Sequence, residues 1–151
     1  AEYPDYADRP LTDEGRSKMR RVGRAQRAMK LEFDCIFSSP CLRARETAEI
    51  VLDRLGVDRP IEISEHLAPD GNRDSLIRQL AAQRPRPGAV LLVGHDPYLS
   101  NLASFLLTGR PDVALNLKKG GLARLSIDRL GKEHGAALDW WLTPKQMGLI
   151  K

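Results

Sequence analysis

The chain has 151 residues, 42% of them hydrophobic and 29% charged, with a net charge of +4. This balance suits one globular domain, 1–151, with a core of its own, and it argues against a disordered segment. No apolar run approaches the roughly 18 residues of a membrane span, and no stretch reads as a signal peptide.

Residues 1–11 carry two Pro and two Asp without a hydrophobic period, and read as a loop. Thr12 is a candidate N-cap, with Asp13 and Glu14 in the first turn where the helix dipole favours acids. That helix should run to about Lys30, with Met19, Val22, Gln26 and Met29 as a thin inward stripe. Its other faces carry Arg16, Lys18, Arg20, Arg21, Arg24, Arg27 and Lys30. No aromatic interleaves with these bases, so a solvated cationic face fits better than a nucleic-acid patch. Residues 33–37 (FDCIF) read as a short buried strand. Ser38-Ser39-Pro40 then leads into a helix from Cys41 to Leu55, buried through Ala44, Ala48, Val51 and Leu55 and closed by Gly56. A strand follows at Ile61–Ser64, a loop over 65–72, a helix over Asp74–Gln83 and a connector over 84–88.

Val90–Val93 is a four-residue apolar run, suited to a strand buried on both faces of a parallel sheet. Gly94-His95 ends it. Asp96 is read as an N-cap and Pro97 as the first position of a helix to about Leu107. Residues 122–130 and 136–142 alternate around a glycine-bounded turn and predict a hairpin. The order is α-β-α-β-α-β-α-β-β. It predicts a three-layer α/β/α sandwich on a mostly parallel mixed sheet with an antiparallel end. Such a fold normally opens on a strand, and the expected first strand is missing from this order.

Two units share one grammar: buried strand, polar cap, Pro, helix. One carries Arg43 and the other His95, and in open α/β sheets strand ends of this kind hold ligands. Arg43 and Arg45 flank the buried face of their helix on opposite sides. Arg45 has Glu49 at i+4 for an ordinary surface pair, whereas Arg43 is the freer of the two to grip an anion with its planar fork. From pattern alone His95 is either a phosphate ligand or a hydrogen-bonded loop residue. His66 and His134 are read as ordinary loop residues. Glu65 follows a strand end and is a candidate general acid, with Asp70 the alternative. Cys35 and Cys41 read as reduced thiols of a cytoplasmic protein, and two Cys with scattered His make no zinc site.

The string from Ser38 to Ala48, SSPCLRARETA, resembles the SSPxxRAxxTA box of the histidine phosphatase superfamily, and Val93-Gly94-His95-Asp96-Pro97 resembles its second histidine box. Arg9-Pro10-Leu11-Thr12, the Lys118–Gly121 turn and the tail Trp140–Pro144 are most similar to its SixA-type phosphohistidine phosphatase branch. The resemblance spans nearly the whole chain and implies a phosphoglycerate mutase-like fold. It implies covalent catalysis, in which a neutral histidine takes up the phosphoryl group and water then releases it as inorganic phosphate. By motif, Arg43 is a clamping arginine and His95 the supporting histidine. No metal or organic cofactor is implied.

The superfamily's nucleophile belongs to an Arg-His box on the first strand, and this sequence contains no Arg-His pair. The box and the missing strand coincide. Both are therefore expected upstream of Ala1, within roughly ten residues, about the length of a strand and its turn; an isolated 1–151 chain is expected to be inactive. The resemblance implies a phosphohistidine-bearing protein as substrate. A general phosphomonoesterase on small metabolites is the alternative, or a non-catalytic phosphoprotein-binding module if the Arg-His box is truly absent. Neither nucleic acid nor membrane is an expected partner.

Overall fold

A computed structural model describes residues 6–130 and 135–151. His134 and most of the predicted hairpin turn lie outside the described residues. The centre is a parallel sheet in the order β2-β1-β3, formed by β1 (Cys35–Ser38), β2 (Ile61–Ile63) and β3 (Val90–Val93). Cys35 to Ser38 lie beside Val90 to Val93, and Ile36 to Ser38 beside Ile61 to Ile63. Strand alternation sends Ile36 to one face and Phe37 to the other, each almost wholly buried. Ile36, Leu91 and Val93 join Met19, Val22 and Ala25 of α1 (Asp13–Ala28), Ala44, Ala48 and Val51 of α2 (Leu42–Leu55), and Met147. Phe37 joins Leu76 and Ile77 of α3 (Arg73–Ala81) with Leu102 and Leu106 of α4 (Tyr98–Thr108). Helices thus cover both faces, giving the three expected layers.

The first strand element begins two residues later than expected. The Asp34 carboxylate accepts the N–H groups of Gly88 and Ala89 at 2.7 and 2.9 Å, making that stretch a corner instead of a strand. Helix α3 starts at Arg73 because Asn72 caps it, accepting from the Ser75 N–H at 2.8 Å. The predicted loop after β2 holds a 3-10 turn, Glu65–Leu67. Helix α4 begins at Tyr98, so Pro97 is its cap and not its first residue. Asp96 still serves the helix from one position further out, accepting from Ser100 N at 3.0 Å and from Ser100 Oγ at 2.6 Å.

The hairpin forms as β4 (Leu122–Ile127) against β5 (Ala136–Leu142), antiparallel, with an irregularity at Arg124 and Leu125. Among the described residues it makes a two-stranded sheet of its own, and β3 pairs only with β1. Yet Leu122 and Leu142 pack with the core on the α1 and α2 side, and Leu125, Ile127 and Ala136 with the core on the α3 and α4 side. A short helix α5 (Pro144–Met147), absent from the sequence expectation, follows. Its capping box joins Thr143 and Gln146, with Pro144 in the first turn.

Helices α1 and α2 approach closely at Gly23. A Cβ there would stand 2.7 Å from Arg54 Cβ and 3.0 Å from its Cγ. Gly23→Ala is therefore expected to destabilise the fold by about 1–3 kcal/mol through overpacking, despite Ala's better helix propensity. Thermal unfolding checks it: an unchanged or higher midpoint would mean the helices separate freely.

Candidate functional site

The site is set by where β1 and β3 stop. Both run parallel and in register, so their C-terminal ends lie side by side. Past the last paired residues, Ser39 N–H still donates to the Val93 carbonyl at 2.9 Å. The two corners that follow, Ser39-Pro40 and Gly94-His95, are thereby held together. His95 Nε2 lies 2.8 Å from Ser39 Oγ, which also accepts from Cys41 N at 3.2 Å. Ser39 is wholly buried and His95 partly so.

Arg43 lies in the first turn of α2. Its positive charge acts on His95, and its guanidinium carbon sits 4.3 Å from the centroid of the Tyr6 ring. Tyr6 Oη lies 3.5 Å from His95 Nδ1, with the two ring centroids 5.8 Å apart. Arg9 approaches the same tyrosine ring at 5.8 Å. Arg43, His95, Tyr6 and Arg9 thus form one cluster at the ends of β1 and β3. Sequence reading found Arg43 and His95. Tyr6 opens a 3-10 turn, Tyr6–Asp8, within the stretch expected to be loop, and Arg9 follows it; neither carries a periodic signal.

The freedom of Arg43 has a physical cause. The nearest acid in sequence, Glu46, is engaged elsewhere: it accepts from Leu11 N at 2.8 Å and forms an ion pair with Arg16. That engagement also ties the loop bearing Tyr6 and Arg9 to α2. Among the described residues Arg43 forms no ion pair, so its charge is uncompensated by protein. Arg45 points to a different use. Its Nε donates to the Pro40 carbonyl at 3.2 Å, in place of the expected pair with Glu49.

The remaining candidates divide. Glu65 lies in the 3-10 turn just past β2, where Ser64 N–H donates to the Ser38 carbonyl at 2.9 Å. That turn abuts the histidine corner: a Cβ on Gly94 would meet the Leu67 carbonyl at 3.6 Å. The structure therefore puts Glu65 at the same edge of the sheet as Arg43 and His95. It is exposed and, among the described residues, makes no side-chain hydrogen bond or ion pair. Asp70 is likewise exposed beyond the turn, and His66 engages through its backbone N–H, which donates to Ser64 Oγ.

Burial and then the nearby Arg43 charge hold His95 below the ordinary histidine pKa. The neutral imidazole is the native form, so the unfolded chain binds more protons between the two pKa values. Stability is then complete above the ordinary histidine range and falls as pH drops through it toward the depressed native pKa. An NMR titration should place His95 below its unfolded value. Arg43→Ala should raise it only part of the way, because burial is the larger cause, and Arg45→Ala should leave it in place. Equal shifts in the two variants would refute the placement of Arg43.

The arrangement matches known proteins. Residues 3–68 match the model of the histidine phosphatase superfamily, branch 1. An uncharacterised protein of Picosynechococcus sp. is 36% identical over 91% of this chain and 79% of its own length. The phosphohistidine phosphatase SixA of Escherichia coli K12 is 26% identical over 95% of this chain and 86% of its own. Among solved structures, the protein histidine phosphatase SixA complexed with tungstate superposes with a TM-score of 0.79 at 23% identity, covering 95% of this chain and 90% of that one. A phosphoserine phosphatase mutant of Entamoeba histolytica superposes with a TM-score of 0.68 at 16% identity, covering 93% and 88%. These likenesses at low identity establish the phosphoglycerate mutase-like fold.

Proposed function

The chain belongs to the histidine phosphatase superfamily, in its SixA-type branch, and from that membership we propose that it serves to hydrolyse phosphohistidine on a protein substrate. The observation that carries the reading is Arg43: a partly buried cation with no ion-pair partner among the described residues, beside a histidine held neutral, at the adjoining ends of two parallel strands. Phosphoryl transfer asks mainly for positioning and charge neutralisation, which such a pair supplies. Arg43 would grip the equatorial oxygens and His95 would hold one of them.

The attacking histidine belongs, in this proposal, to a further strand, carrying the Arg-His pair, that pairs with the open edge of β3. Two features support such a strand. The outer edge of β3 lacks a strand partner among the described residues, and the β4–β5 hairpin feeds both core layers without bonding to that sheet. The imidazole lone pair of the attacking histidine would form a new N–P bond as the substrate's own N–P bond breaks. The departing imidazole nitrogen takes the electron pair and a proton. Water would then add to phosphorus, releasing inorganic phosphate and restoring the histidine.

The substrate class follows from the leaving group. An imidazole nitrogen is basic enough to leave protonated without a strong acid, whereas an alkoxide gains about 10²–10⁴-fold from one. Glu65, exposed beside the site and without a side-chain partner among the described residues, is the acid we assign for any ester that reacts. The exposed bases of α1, Arg20, Arg21, Arg24 and Arg27, suit an acidic protein partner. Activity is expected in a chain extended to include the Arg-His strand, and is expected to survive a chelator. Parallel assays on a phosphohistidine protein and on small phosphomonoesters decide the substrate. Preference for the esters, with rate lost in Glu65→Gln, would overturn the protein substrate. Phosphate bound tightly with no acid-labile label on histidine would overturn the enzyme reading. Arg43→Ala should lower turnover by at least about tenfold, as loss of a charge-assisted bond to the phosphoryl group implies.

A further inference from the structure

The buried hydroxyl of Ser39 has a single proton to place. Its oxygen already receives the Cys41 N–H at 3.2 Å, and its backbone N–H and carbonyl are bonded to the Val93 carbonyl and to Ser38 Oγ. Its remaining side-chain contact among the described residues is His95 Nε2, at 2.8 Å. Ser39 is 0% exposed, so water does not take the proton at the surface. A buried donor left without an acceptor costs about 1–3 kcal/mol. The proton therefore goes to the one acceptor within reach, and an imidazole nitrogen accepts only when it is bare.

We infer that Ser39 is a positioning residue that donates to Nε2 of His95, fixes the neutral ring as its Nδ1–H tautomer, and so turns a hydrogen-bond donor toward the anion. The opposite tautomer would strand the Ser39 proton and present a lone pair to phosphoryl oxygens, which are acceptors only. The Nδ1 side is where Tyr6 Oη stands, at a long 3.5 Å that makes it the replaceable contact, and Tyr6 also carries Arg43 over its ring. A phosphoryl oxygen entering between Arg43 and His95 would take the place of the tyrosine oxygen on Nδ1. The depressed basicity of His95 agrees with this arrangement, since a doubly protonated ring has no lone pair left for the serine. The tautomer assignment stands on the Ser39 geometry; its use toward the anion rests on the phosphatase reading above.

The test uses the ¹⁵N-labelled full-length protein, with the Arg-His strand included, without ligand at neutral pH. Two-bond ¹H–¹⁵N correlations should give His95 the pattern of a protonated Nδ1 and a bare Nε2. Ser39→Ala should convert this to a mixture or to the Nε2–H form, and Ser39→Thr, which keeps the hydroxyl, should restore Nδ1–H. Inorganic phosphate, followed on the His95 resonances, should bind roughly tenfold more weakly in Ser39→Ala and at the native level in Ser39→Thr, as loss of one donor to a charged group implies. An Nε2–H pattern in the unsubstituted chain overturns the assignment, and so does an unchanged tautomer in a folded Ser39→Ala. Phosphate that leaves the His95 resonances unmoved, with Nδ1–H intact, sinks the phosphatase reading and leaves the tautomer assignment standing.

Discussion

The parallel pairing of Ser38 with Val93 is the constraint on which the site depends. Strand alternation leaves a register no partial slip: moving β1 by one residue would exchange Ile36 and Phe37 between the two cores. Ile36 belongs to the layer under α1 and α2, Phe37 to the layer under α3 and α4, and neither has room to move. Two hydrophobic cores therefore lock the register from opposite sides. The same register places Ser39 beside Val93, and through it His95. A 2.8 Å contact between polar side chains 56 residues apart is thus guaranteed by the burial of apolar ones.

The second determinant is the distribution of carboxylates around Arg43. In an isolated helix Arg43 and Glu46 would be natural i, i+3 partners. The fold gives Glu46 to the loop instead, through Leu11 N and Arg16. One carboxylate thereby does two things: it anchors the segment carrying Tyr6 and Arg9, and it leaves Arg43 without an ion-pair partner among the described residues. An unpaired cation near a helix N-terminus is unfavourable against the helix dipole, which prefers anions there. Such a placement is tolerated where an anion is to be bound, because the ligand satisfies both the guanidinium and the dipole.

Most of the fold was legible because its signals are local. Thr12 and Gly56 mark helix ends by side chain and by left-handed backbone, and both act where the sequence places them. Arg43 and His95 were legible because their two strand-to-helix corners share one local pattern. What escaped depends on residues distant in the chain. Nothing near Glu46 says that Leu11 and Arg16 will claim it. Nothing near Arg45 says that its guanidinium will turn back to the Pro40 carbonyl. Ser39 reads as a helix-entry polar residue, and its bond to His95 appears only once β1 and β3 are set side by side. Helix α5 is the exception: Thr143-Pro144 with Gln146 is a local capping signal.

The hairpin shows where local pattern misleads about assembly. Alternation in β4 and β5 correctly predicts two antiparallel strands, but alternation says nothing about what lies at their edges. Among the described residues the β3 edge and the hairpin are not joined by strand pairing, although side chains of the hairpin reach the cores on both faces of the sheet. An unpaired edge beside a buried strand exposes N–H and C=O groups that proteins ordinarily cover or pair. The hairpin's contribution to both layers requires it to lie near the plane of the main sheet. A strand filling that edge would emerge at the same end as Ser39 and His95 if it ran parallel to β3.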